Sequence, residues 1–221
     1  MGGILKSSIA RKLVMALSGL FLVLFLLQHF LINFTSVLSA DLFNEISHFM
    51  GTNFFVQFLL QPVLILGVIV HFVMGIALEI KNRNARVKKY VRFNGGANSS
   101  WMSRNMIWTG LVVLAFLGLH FYDFWFPEIY HKYIAIHPED PMRYYGETVA
   151  KFQDPIRTGL YVISFIFLAL HLLHGFSSSF QTVGWHQKFY KGLRGATVAF
   201  SILIPLGFIF IALFHYINQV Q

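Results

Sequence analysis

Five stretches of this chain, roughly 13–34, 58–80, 105–126, 156–180 and 196–217, are apolar almost without interruption. Each is about 20 residues or longer, the length a helix needs to cross the hydrocarbon core of a bilayer. Inside lipid every peptide group must find its partner within the chain, so runs of this kind fold as membrane-spanning helices. Charged residues make up only 12% of the chain, against about a quarter in a soluble domain. Ten-residue alternation of the β-barrel kind is missing. The sequence therefore predicts an all-α integral membrane protein, one membrane domain over 1–221 with five transmembrane helices. Span one holds no charge and is followed by no small-residue cleavage pattern, which makes it an uncleaved span and not a signal peptide. The start MGGILK lacks the Ser or Thr that a myristoylation signal needs at position 6.

Net charge is +8, a balance that in a soluble protein would raise nucleic acid as a partner. Its distribution points elsewhere. Lys6, Arg11 and Lys12 precede span one; Lys81, Arg83, Arg86, Lys88, Lys89, Arg92 and Arg104 lie between spans two and three; Lys188, Lys191 and Arg194 lie between spans four and five. Thus 13 of the 17 basic residues fall on one side and eight of the nine acids on the other. The positive-inside rule then puts the N-terminus in the cytoplasm and the C-terminus outside. Contact with lipid headgroups accounts for most of these charges, and the same face suits a docked cytoplasmic partner. No cysteine is present, which removes disulfides, thiolate-held iron–sulfur clusters and covalent c-type haem.

Between the spans, 35–57 reads as a short polar loop and 81–104 as a basic loop turning at Asn94-Gly95-Gly96. The longest connection, 127–155, contains HPEDP and also YYGETVAKF, which has the makings of a short surface helix.

Spans one to four each carry a histidine, and these fall into two alternating classes. His29 and His120 each follow a Ser/Thr-Gly pair, Ser18-Gly19 and Thr109-Gly110, by ten residues from the glycine. His71 and His171 each begin H-x-x-x-G, with Gly75 and Gly175. Counted from the inner ends of their spans, His29 and His120 lie about 15–17 residues up and the other two about nine, a difference of roughly 10–12 Å. Each level then holds two histidines from two helices. Two bis-histidine haems stacked across a membrane require that arrangement, with helices one to four bundled around them. Ser18 and Thr109 share a helix face with His29 and His120, where small side chains leave room for the second macrocycle. Gly75 and Gly175, one turn from their histidines, let a flat ring approach the backbone, with plain helix packing an equal reading. His174 is an alternative to His171, one turn further in. His48, His131, His137, His186 and His215 are expected as solvated side chains. Zinc is disfavoured because no short-spaced ligand set converges. A proton relay would bring an intramembrane carboxylate, and Glu79 and Asp123 sit only at span edges.

The ordered set, QH in span one, AxxFNxxxHFM at 40–50, HxxxG in span two, TG-x9-H in span three and HxxxG in span four, resembles the single-chain dihaem cytochrome b anchor of succinate dehydrogenase and quinol:fumarate reductase. The likeness covers roughly 10–180, with span five matching by position. It departs from the pattern in the long 127–155 connection and in His174. The resemblance implies two haem b groups, the distal one on His29 and His120 and the proximal one on His71 and His171. It also implies a flavoprotein subunit and an iron–sulfur subunit on the cytoplasmic side of a bacterial inner membrane, and leaves room for a homodimer of the complex. Electrons would pass between the iron–sulfur subunit and a membrane quinone, menaquinone being the expected one, while succinate and fumarate interconvert on a partner. A quinone at the inner end would make the outer haem pointless. Its pocket is therefore expected near the outer haem, with Glu45 and His48 exchanging protons and Asn33, Asn44, Tyr122 and Asp123 nearby. The rival readings are a cytochrome b561-like or hydrogenase-type dihaem subunit and a haem-free, histidine-lined transporter.

Overall fold

The computed structural model describes residues 7–84, 104–184 and 190–218, with the side chains of 190 and 191 outside that description. The Asn94-Gly95-Gly96 turn, His186 and the cations Lys6, Arg86, Lys88, Lys89, Arg92 and Lys188 lie outside the described residues. Of the described residues 91% are helical and none is in a strand, and five helices are long and apolar enough to cross a membrane.

Local chemistry sets several helix ends. Helix α1 (Ser8–Leu38) starts after Ser7, whose side chain accepts from Ala10 N–H. Ser39 then serves two helices. Its N–H bonds Thr35 O to end α1, and its hydroxyl accepts from Leu42 N–H at 3.3 Å to start α2 (Ala40–Thr52). A π turn (Val56–Leu60) leads into α3 (Gln61–Asn84). Span three begins as α4 (Met106–His120) and runs on through π turns at Phe121–Trp125 and Tyr130–Ile134. After a bend come the short α5 (Arg143–Phe152), then α6 (Pro155–Thr182) and α7 (Tyr190–Ile217). Asp154 caps α6, accepting from Ile156 N–H at 2.8 Å and Arg157 N–H at 3.3 Å, with Pro155 in the first turn where a missing N–H costs nothing.

Two expectations change. The stretch 35–57 is not a loop, because α2 occupies most of it. Phe43 and Asn44 are buried on one side of α2, and Asn44 Oδ1 accepts Tyr145 N–H at 2.8 Å, docking α2 on α5. Span three does not stop near 126 but continues to Ile134. Asp123, expected at a span edge, is therefore inside the rod and only 1% exposed. The surface helix expected in YYGETVAKF is α5.

Within the bundle α6 packs on α7, α4 and α1, while α1 also packs on α3 and α7. The close-packed core lies toward one end, built from Phe152, Tyr161, Phe165, Ile204, Phe208 and Ile211 with Phe30, Phe34 and Phe116 against them. That end, which also carries α2 and α5, is the outer end in the topology expected from the positive charges. Large apolar side chains such as Leu24, Leu66, Ile163 and Leu203 remain exposed around the rods, as a lipid-facing surface requires.

A glycine fixes the approach of α7 to α1. A Cβ on Gly207 would overlap the ring of Phe30, which is itself held against Phe34 and Phe208. Gly207→Ala should therefore cost about 1–3 kcal/mol through overpacking. Thermal unfolding in detergent checks this, and an unchanged midpoint would mean that the Phe30 ring can swing clear.

Candidate functional site

The four histidines meet as two pairs, each drawn from two spans. His29 and His120 face each other edge-on, ring centroids 5.7 Å apart and planes at 89°. His71 and His171 do the same at 6.3 Å and 76°. The ring opposite His71 is that of His171, and His174 makes no such contact among the described ring pairs. Ser18 touches the inner pair and lies 11 residues below His29 on α1, so about 16 Å of helix rise separates the levels. This exceeds the depth expected from span ends, because the inner ends of the apolar runs do not share one level: Ser18, close to the start of its run, meets His71, which lies deeper in its own.

Each inner histidine is seated by the preceding span. Ser18 Oγ stands 3.2 Å from His71 Nδ1 and donates to Met15 O at 3.0 Å. Thr109 Oγ1 stands 3.3 Å from His171 Nδ1 and donates to Met106 O at 2.9 Å. The adjacent glycines complete the seat. A Cβ at Gly19 would come within 3.3 Å of His71 Cε1, and one at Gly110 within 3.5 Å of His171 Cε1. Gly75 and Gly175 face methionines instead, with would-be Cβ contacts of 3.6 Å to Met15 and 3.3 Å to Met106. The two halves thus repeat one construction, Met-x-x-Ser/Thr-Gly against His-x-x-x-Gly of the next span. Sequence spacing places Ser18 and Thr109 on the faces of His29 and His120, but it does not reveal that their hydroxyls reach His71 and His171.

The outer pair has aromatic walls. His29 stacks on Phe25 at 5.4 Å and lies 5.8 Å from Phe208, while His120 contacts Phe116, Phe124 and Tyr161. His120 Nδ1 is buried and unpartnered. Asn33 Nδ2 donates to His29 O at 2.8 Å and lies 3.4 Å from His29 Nε2, the longer and weaker contact.

These pairs fit a bis-histidine haem. With metal–nitrogen bonds of about 2 Å, imidazoles on opposite sides of one ion have centroids about 6 Å apart. Both observed separations lie close to that value. No group of three or more His, Asp or Glu suited to a metal occurs among the described residues, so the histidines stand as pairs.

Beyond His120 the π turn carries Asp123 into the bundle. Its Oδ2 accepts from Tyr161 OH at 2.9 Å, and its Oδ1 pairs with Arg157 at 3.3 Å. Asp123 also lines a cavity of about 340 Å³ between the outer end of span three and α5, with His131, His137, Arg143, Glu147 and Lys151. Arg143 bonds Glu128 and Glu147 and lies 4.3 Å over the ring of Tyr144. Burial opposes the charge of Arg143, but its hydrogen bonds to the two glutamates outweigh it and hold the guanidinium above its ordinary range. Burial, helped by the charge of Glu128, pushes the Tyr144 phenol up.

Glu45 is exposed on α2. His48 is half-buried, its ring 6.2 Å from Tyr144 and its Nδ1 enclosed without a partner. His215, expected in solvent, is fully buried: its Nε2 lies 2.8 Å from Ser36 Oγ, with Tyr145 and Phe152 against the ring. Its burial follows from α5 packing against the end of α7 and from Ser36 of α1 beside the ring, which span length alone does not show. Asn33 lies beside His29, Asn44 is committed to α5, and Tyr122 is exposed.

Comparison with protein-family profiles, curated sequences and solved structures returns no match to this chain.

Proposed function

We propose that this chain is the dihaem cytochrome b anchor of a succinate:quinone oxidoreductase, with one haem b on His71 and His171 and another on His29 and His120. The observation that carries the reading is the pair of cross-span imidazole couples, each at a separation suited to one shared iron. The haems would supply one-electron carriers at two depths. The protein's part is to fix the imidazoles, exclude water behind the aromatic walls and shape the quinone pocket. In this reading the chain lies in a bacterial cytoplasmic membrane, N-terminus inside, and meets an iron–sulfur and a flavoprotein subunit through its basic inner face. The ordered motif set supports this choice over a b561-like or hydrogenase-type subunit.

A pyridine haemochrome assay should return two b haems per chain, and flavin and iron–sulfur subunits should copurify. One haem or none would sink the dihaem reading. Haems without those partners would favour the b561-like or hydrogenase-type alternative, and a haem-free protein the transporter.

The quinone, menaquinone by expectation, belongs at the outer end in this reading, with His48 and Glu45 in proton exchange. The enclosed, unpartnered His48 Nδ1 supports a polar ligand there. Glu45→Gln and His48→Ala should slow quinone turnover by about a hundredfold or more, in the range for loss of an acid–base group. Haem spectra and succinate oxidation by an artificial acceptor should persist. Wild-type quinone activity in both variants would overturn the placement.

A further inference from the structure

Hydroxyls in membrane helices commonly bond a carbonyl one turn back on their own helix. Thr35, Ser164, Thr182, Thr197 and Ser201 do so here. Ser18 and Thr109 do this and something more, since each also stands at hydrogen-bond distance from an imidazole of another span. A hydroxyl has one hydrogen. Ser18 spends it on Met15 O and Thr109 on Met106 O, so toward the histidine each oxygen can only accept. The proton of His71 and of His171 is thereby assigned to Nδ1, and Nε2 keeps its lone pair. The same construction occurs twice in one chain, on two different spans.

We infer that Ser18 and Thr109 are positioning residues for the inner imidazole pair: they select the tautomer that offers Nε2 to iron and hold the inner haem at a lower reduction potential than its ligands would give without them. The inference rests on the dihaem reading above. An imidazole whose Nδ1–H is bonded to an acceptor is a stronger donor through Nε2. Stronger donation favours the oxidised iron and lowers the potential. His120 of the outer pair lacks the device, since its Nδ1 is enclosed without a partner. Gly19 is part of the seat, because a side chain there would crowd the Cε1 edge that the hydroxyl holds in place, whereas one at Gly110 would make only ordinary contact with His171.

Ser36 provides an internal control. It donates to Asn33 O at 2.6 Å and takes His215 in the same manner, but through Nε2 and on a ring that faces no second imidazole among the described residues.

The test is a potentiometric titration of the purified complex, following the haem absorption bands of wild type, Ser18→Ala, Thr109→Val, Ser18→Thr, Thr109→Ser and Ser36→Ala. In Ser18→Ala and Thr109→Val the reduction equilibrium of the inner haem should shift several-fold to about tenfold toward the reduced form, tenfold being ~59 mV for one electron. The outer haem should not follow. Ser18→Thr and Thr109→Ser, which keep the hydroxyl, should restore the wild-type value, and Ser36→Ala should leave the inner value in place. Loss of the inner haem in Ser18→Ala and Thr109→Val, with retention in the hydroxyl-conserving pair, supports the inference equally. Both haems retained at wild-type potentials in Ser18→Ala and Thr109→Val overturns it, and so does a shift confined to the outer haem. In either case the two-haem spectrum leaves the dihaem reading standing. A wild-type protein without haem removes that reading and this inference together.

Discussion

Under the proposed dihaem function, His71→Ala or His171→Ala should halve the haem content of the purified protein, leaving the outer haem spectrum and abolishing electron passage to the proposed partner subunits. The two rings form one couple at 6.3 Å, so removing either leaves an iron with a single protein ligand at that level. The outer couple lies about 16 Å of helix rise away and keeps both its imidazoles. His174→Ala should keep two haems, because the ring of His171, not that of His174, stands opposite His71. Haem quantitation with reduced-minus-oxidised spectra decides the matter. If His174→Ala loses a haem and His171→Ala does not, the inner ligand has been misassigned.

Asp123→Ala should lower stability by about 3 kcal/mol, toward the lower part of the range for a broken buried ion pair. The carboxylate side chain is fully enclosed, and its removal strands both the Tyr161 hydroxyl and the Arg157 guanidinium. Arg157 keeps 26% of its side-chain surface and can turn toward water, which moderates the cost. For a chain of this length the thermal midpoint should fall by about 6–12 °C. Asp123→Asn keeps an acceptor for Tyr161 and should fall less. Equal midpoints for Asp123→Ala and wild type in detergent would show that the buried triad contributes nothing to the fold. Because Tyr161 packs against His120, a perturbed outer haem band is expected in the alanine variant as well.

Much of the site could be read before any coordinates. Hydropathy located the five spans, since an apolar run of this length has few other folds. Counting residues along helices sorted His29 with His120 and His71 with His171, because helix rise converts position into depth. Depth fails where the helix is not regular. The π turns after His120 carry Asp123 inward, and a composition that includes FPEIYH gives no sign that span three continues through it. Amphipathic α2 read as a loop for a related reason: its polar residues dilute the apolar signal, while its burial depends on α5 lying beside it.

The sequence by itself determined the five helices, which histidines pair and the side bearing the positive charge, all of which follow from local periodicity and the solvent's refusal of unpaired peptide groups. Only the tertiary structure decided which oxygen meets which nitrogen. Ser18 and His71 are 53 residues apart and Thr109 and His171 are 62 apart, and whether they touch depends on helix rotation and crossing. Those angles are set by contacts such as Phe30 against Gly207 and Phe21 against Gly67, which no span encodes alone. Burial of His215 and enclosure of Asp123 are of the same kind. Each requires two elements from distant parts of the chain to close over a polar group, and single-span hydropathy is silent about the neighbour.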